Sequence, residues 1–222
     1  MEMLPNELLT SIGEYSREGR YRSRSVRALS LCSKRFHHVF QPLLDSDILL
    51  TGNPLTARDV ALIMRFWKRP ALACRVRRFE VLWEESANSR RRHGTFNTQQ
   101  PEAVVFIEHA LTEIFGDQQP RLKCRWRVHL YNLNTEAWAA ILLVRLTRLR
   151  TLVLSHSEDE GLVAEIMRRA AQRQRPFHRA PPFPILQEIQ AEAAWSRAWR
   201  VWKPGLPVRS AVLKPHAGRP RG

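Results

Sequence analysis

The segment Ser155-His156-Ser157-Glu158-Asp159-Glu160 gathers a hydroxyl, an imidazole and carboxylates in one short run, and these are the ingredients of a hydrolytic site. The run lies after an expected strand and before an expected helix. Acids in that position stabilise the positive end of a helix dipole, and capping is the reading adopted. His37-His38 would sit on a helix, where adjacent side chains point about 100° apart and make a poor pair for one metal ion. Cys32, Cys74 and Cys124 are odd in number and far apart, so neither a disulfide framework nor a CxxC metal pair is expected. They read as small buried hydrophobes. The sequence has no glycine-rich phosphate loop, no G-x-S-x-G elbow and no H-E-x-x-H helix. No catalytic residue, metal ligand or cofactor is expected, and the chain reads as a binding protein.

Charge gives the next constraint. The 222 residues carry 36 Lys and Arg against 21 Asp and Glu, a formal net charge of +15. Nearly all of the excess is arginine, scattered as Arg77-Arg78, Arg90-Arg91-Arg92 and Arg168-Arg169 without one long basic block. Codon bias, an acidic protein partner and nucleic acid all remain open as explanations, although phosphate binding favours a clustered stripe. A content of 44% hydrophobic residues can build a core, which excludes wholesale disorder. No apolar run reaches the length of a membrane span; the longest candidate is Ala137 to Val144. The first residues, Met1-Glu2-Met3-Leu4-Pro5-Asn6-Glu7, bring acids where a signal peptide carries bases, so the expected location is cytoplasmic, nuclear or both.

The positioning elements are set by apolar spacing. Leu4-Pro5-Asn6-Glu7 opens a helix with Leu8, Ile12 and Tyr15 on one face. Ser16 to Ser25 reads as a surface loop. Val26, Leu29 and Cys32 resume helical spacing. Ser33 caps a further helix through Phe36, Val39, Phe40 and Leu43, which Pro42 should end or kink near Gln41. Thr56 and Asp59 resemble a capping box before a helix through Val60, Ile63, Met64 and Trp67 that Pro70 closes. Val76 to Trp83 alternates as a strand, Ser86 to Gln100 is a loop, and Pro101-Glu102 opens a helix that Gly116 ends. Cys124, Trp126, Val128 and Leu130 alternate as a second strand. Thr135 to Leu146 is helical, Leu149 to Leu154 is a third strand, Gly161 to Arg175 is helical and Ile185 to Ile189 is a fourth strand. Trp195, Trp199 and Trp202 share helical spacing as a terminal cap or binding patch. The organisation expected is residues 1–50, residues 51–203 with helices and strands alternating, and a disordered Pro/Gly/Arg tail over 204–222.

Such alternation defines an α/β protein with parallel strands joined by helical crossovers. Leu149, Leu152 and Leu154 give L-x-x-L-x-L, the strand half of a leucine-rich repeat; Val76, Phe79 and Val81 repeat the spacing, and Leu186, Ile189 and Ala191 approximate it. The strand starts are unevenly separated, which predicts an irregular leucine-rich-repeat-like solenoid. On its exposed strand positions Arg77, Arg78, Arg127 and Arg150 are the candidates for contacting a substrate.

The first fifty residues resemble the F-box, a three-helix module of ubiquitin-ligase receptors. The matching positions are Leu4-Pro5, Glu7-Leu8-Leu9 and Ile12, then Leu29-Ser30-Leu31-Cys32-Ser33-Lys34-Arg35-Phe36, then Pro42-Leu43-Leu44 running to Ile48. The stretch between Ile12 and Leu29 is about five residues longer than is usual in the family, and Cys32 stands where the family usually has valine; a longer surface loop adds only about 0.6 kcal/mol of closure entropy per doubling. Leucine-rich repeats after an F-box are a common arrangement, especially in fungal proteins. The resemblance implies a non-catalytic receptor that docks a Skp-family adaptor, and through it a cullin and a ring-finger subunit. The residues it places at the adaptor are Leu4, Pro5, Leu8, Leu9, Ile12, Leu29, Leu31, Cys32, Phe36 and Pro42. The repeats would then hold a protein substrate, acidic or phosphorylated if the arginines select it. The alternatives are a nucleic-acid-associated basic protein and a truncated relative without a full substrate site.

Overall fold

A computed structural model describes residues 4–16, 22–52, 54–82, 96–117, 119–155 and 161–191. Three helices come first: α1 (Asn6–Tyr15), α2 (Arg22–Cys32) and α3 (Lys34–Leu44). Ser33 accepts from the Phe36 N–H at 3.1 Å and starts α3 as its spacing predicts. The helices enclose a small core of Leu9, Val26, Phe36 and Phe40, with the two phenylalanine rings edge to face. Gly13 sits where α1 crosses α3. A Cβ there would lie 2.6 Å from Leu43 Cδ1 and 2.8 Å from the Phe40 ring. Replacing it by valine should therefore destabilise this unit by about 1–3 kcal/mol through overpacking, measured as a shift in denaturant midpoint at unchanged slope.

Two boundaries here differ from the sequence reading. α2 begins at Arg22, so helix replaces the last part of the loop expected up to Ser25. α3 runs through Pro42 to Leu44 instead of stopping near Gln41. Pro42 deletes only the bond to the His38 carbonyl, and both residues are exposed, so water can satisfy that group.

The rest of the described chain forms an α/β layer structure. Its sheet consists of β1 (Asp47–Thr51), β2 (Arg78–Leu82), β3 (Thr151–Ser155) and β4 (Glu188–Ala191), all parallel and standing side by side in chain order. Apolar spacing places Ile48 at the tail of the third helix, and β1 takes its place. Ile48 pairs with Phe79, and Ile48 and Leu50 alternate with Asp47, Leu49 and Thr51 as a half-buried strand requires. A stack of carbonyls joins the strand starts. Ser46 O accepts from Arg77 and Arg78 N–H at 2.8 and 3.1 Å, Arg77 O from Arg150 and Thr151 at 2.8 and 2.9 Å, and Arg150 O from Gln187 and Glu188 at 2.8 and 3.0 Å.

Helices cover one face of the sheet. They are α4 (Ala57–Lys68), the short α5 (Pro70–Ala73), α6 (Pro101–Phe115), α7 (Pro120–Tyr131), α8 (Thr135–Arg145) and α9 (Leu162–Ala171). The Thr56–Asp59 capping box, the Pro101 start and the Gly116 end of α6 all occur as read. The expected strand around Cys124 to Leu130 is helix α7. Pro120 fits its first turn, and the buried residues are Trp126 and Leu130, four apart, while Cys124 and Val128 are exposed; the period is that of a helix. α8 is buried from Thr135 through Val144 and, from Ala137 to Val144, is apolar on every side, as a helix enclosed by other elements must be. The cysteines are not buried as expected: Cys32 and Cys124 are exposed and Cys74 is half-buried, its Sγ 3.6 Å from Thr147 Oγ1. No helix among the described residues is long and apolar enough to cross a membrane.

Candidate docking surfaces

The three-helix unit covers its own core and still leaves large apolar groups in water. Leu8, Ile12 and Tyr15 recur along α1 on the side away from α3; Leu8 is 51% exposed and Tyr15 77%. Leu31 on α2 is 76% exposed, and Pro5 and Cys32 are exposed as well. The start of α1 is fixed in place by Arg35, whose guanidinium donates to the Asn6 side-chain oxygen at 3.0 and 3.1 Å and to the Leu4 carbonyl. Arg35 lies inside the F-box-like stretch, but its role could not be read from spacing. Of the ten residues named for the adaptor, Leu9 and Phe36 are core, Leu4 and Leu29 are half-buried, and Pro5, Leu8, Ile12, Leu31, Cys32 and Pro42 are exposed. Leu8 and Ile12, four residues apart, share one face of α1.

The second surface is the face of the sheet opposite the described helices. Phe79, Val81, Leu152, Leu154, Ile48, Leu50 and Ile189 point into the core. The intervening residues form rows in register: Asp47, Arg78, Thr151 and Glu188, then Leu49, Glu80, Val153 and Gln190, with Thr51 and Leu82 beginning a third. None of these ten is buried. Arg78 donates to Glu80 Oε2 from Nη2 at 3.1 Å and from Nε at 3.3 Å. Glu188 has neutral partners, accepting from Gln190 Nε2 at 2.6 Å and meeting Thr151 Oγ1 at 3.5 Å.

The four arginines named for substrate do not share this surface. Arg78 is on it. Arg77 and Arg150 each stand one residue before a strand, and Arg77 Nη1 holds the carbonyls of Arg148 at 2.9 Å and Cys74 at 3.2 Å. Arg127, expected on a strand, belongs to α7 and forks onto Glu108 with Nε at 2.6 Å and Nη2 at 2.8 Å. That hydrogen bonding lowers the Glu108 carboxyl pKa below its ordinary value. The stabilisation this brings is present above the unfolded-state carboxyl pKa and is lost as pH falls through the lowered folded one. It is small, because the pair is solvated.

Among the described residues no group of histidine, cysteine and carboxylate side chains could hold a metal ion. The Ser155 to Glu160 run falls mostly on 156–160, outside the described residues, as do Trp195, Trp199, Trp202 and the 204–222 tail. A cap for α9 does appear where sequence reasoning did not look for it: Glu136 Oε1 in α8 accepts from Val163 N–H at 3.0 Å. The chain matches no protein-family model, and no curated protein or solved structure matches it.

Proposed function

We propose that the chain is the substrate-recognition subunit of a Skp/cullin/F-box ubiquitin ligase and does no chemistry itself. In this reading the N-terminal helices dock a Skp-family adaptor, and the sheet with its helices is an irregular leucine-rich-repeat-like solenoid that holds a protein substrate. The observation that carries it is the exposure of Leu8, Ile12 and Leu31 on a unit whose own core is already closed by Leu9, Val26, Phe36 and Phe40. An apolar stripe left in water beside a finished core is what an obligate docking surface leaves when the partner is absent. The strand order supports the second half, because parallel strands stacked in chain order are how solenoid repeats add one beside the next.

The test is co-purification of the tagged chain with a Skp-type adaptor. Leu8→Ala should weaken capture by about thirtyfold, the loss of about 2 kcal/mol of buried apolar contact. Because Leu8 is exposed, the circular dichroism and denaturant midpoint of the variant should match the parent. An intact chain that retains no adaptor of this family overturns the reading.

A further inference from the structure

Arginines scattered along the sequence are gathered by the fold. Because the strands are parallel, each helix-to-strand connection arrives at the end of the sheet where the strands start. Residues 69–77, 146–150 and 172–187 are the connections into β2, β3 and β4, and they hold eight arginines and no carboxylate. Arg69, Arg75 and Arg77 are in the first, Arg148 and Arg150 in the second. The third has Arg173, Arg175 and Arg179. The connections are tied side by side: Arg77 Nη1 donates to the Arg148 carbonyl at 2.9 Å, Cys74 Sγ is 3.6 Å from Thr147 Oγ1, and the Gln187 N–H donates to the Arg150 carbonyl at 2.8 Å. The three strand starts therefore lie within two strand spacings, about 10 Å. Against the eight guanidiniums stand Asp45, 3.9 Å from Arg75, and Asp47 and Glu188, which begin β1 and β4, so positive charge is in clear excess. Arg77 is half-buried on its two carbonyls, and the other seven are exposed. Cations complement helix C-termini only within the last turn, and Arg148, Arg150, Arg175 and Arg179 stand beyond it. Residues 83–95, 156–160 and 192–222 hold ten Lys and Arg against six Asp and Glu, so they bring net positive charge themselves.

We propose that this end of the sheet binds the phosphate backbone of a nucleic-acid duplex without reading its sequence. Guanidinium forks fit phosphate oxygens two at a time. An extended acidic polypeptide offers at most one charge per about 3.4 Å, on alternating sides, whereas a duplex offers one per about 1.7 Å, the closer match to so dense a cluster. Single strands are held by bases stacked on aromatic rings, and the two phenylalanines of these connections, Phe177 and Phe183, are buried. The binding goes beyond the receptor reading and does not depend on it, since Leu8, Ile12 and Leu31 take no part.

The test is fluorescence anisotropy of a labelled duplex of about 20 base pairs on the full chain, between about 50 and 200 mM salt. Micromolar binding that falls steeply with salt is expected, alike for duplexes of unrelated sequence. Arg148→Gln with Arg150→Gln should weaken it about tenfold and lower the log–log salt slope by about 2. Arg27→Gln with Arg58→Gln, on α2 and in the first turn of α4, removes the same charge and should change affinity less than about twofold. Both pairs are exposed, so circular dichroism should match the parent, and Arg173→Gln with Arg179→Gln, on another connection, should repeat the first result. A chain that binds no duplex, equal losses in the first two double variants, or no loss in either overturns the proposal. So does poly-glutamate of equal charge that competes as well as unlabelled duplex, or tighter binding of single strand than of duplex. Capture of a Skp-type adaptor by the Arg148→Gln, Arg150→Gln chain should be unchanged, so failure here and failure of the receptor reading are separate results.

Discussion

Trp138→Ala should remove about 3–5 kcal/mol of stability, enough to leave little folded protein at physiological temperature. Trp138 is fully buried in α8, stacked on Phe106 with ring centroids 5.7 Å apart and planes within 7°. Phe106 in turn meets Trp67 edge to face at 5.8 Å, so one deletion opens a cavity beneath two further aromatic rings. The indole N–H donates to the Leu130 carbonyl at 3.0 Å, a carbonyl that also takes the Leu133 N–H. Trp138→Phe keeps most of the volume and loses the indole bond, so its cost should be nearer 1–2 kcal/mol. Urea denaturation of both variants measures the difference. A Trp138→Ala protein within experimental error of the parent would contradict the placement of α8 at the centre of the core.

A second large effect is expected at Glu136, a 2% exposed carboxylate. Its Oε1 takes the Val163 N–H in the first turn of α9, where the helix dipole is positive. Glu136→Ala should cost about 2–3 kcal/mol, because a buried N–H loses its charged acceptor. Glu136→Gln can still present an oxygen but not a charge, and about half the loss is expected. Hydrogen exchange at the amides of α9 reads the local consequence. If the alanine variant leaves that protection unaltered, Glu136 is not what holds the start of the helix.

Where local chemistry decides an element, the sequence announces it: the Thr56–Asp59 box, Ser33, Pro101 and Gly116 each mark a boundary that the structure places there. Sequence and structure part where two periods compete. Cys124 to Leu130 alternates over four apolar positions, yet the helix wins because only Trp126 and Leu130 find a core to enter. Ile48 continues the apolar spacing of α3, although pairing to Phe79, thirty-one positions on, makes it a strand. Such pairing is a property of the assembled sheet and leaves no mark on neighbouring residues. The same holds for the surfaces. Leu8 and Leu9 are adjacent and chemically alike, and only the packing of α1 on α3 turns one to water and the other inward. The arginines show the limit most plainly: Arg77 and Arg78 differ by one position, and one holds loop carbonyls while the other lies on the second face of the sheet beside Glu80.

The carbonyl stack at the strand starts has a consequence for which residues this protein can accept over generations. Ser46, Arg77 and Arg150 each receive the next strand through two successive main-chain N–H groups, and all six bonds run main chain to main chain. Inheritance can therefore rewrite residues 77, 78, 150, 151, 187 and 188 with almost any amino acid and keep these six bonds, although at 77 it would give up the arginine's hold on the Arg148 and Cys74 carbonyls. Proline is the exception, since it brings no N–H to donate. A lineage of such chains would keep its joints while its letters drifted, and the lasting imprint of common descent at these six positions would be a forbidden residue and not a favoured one.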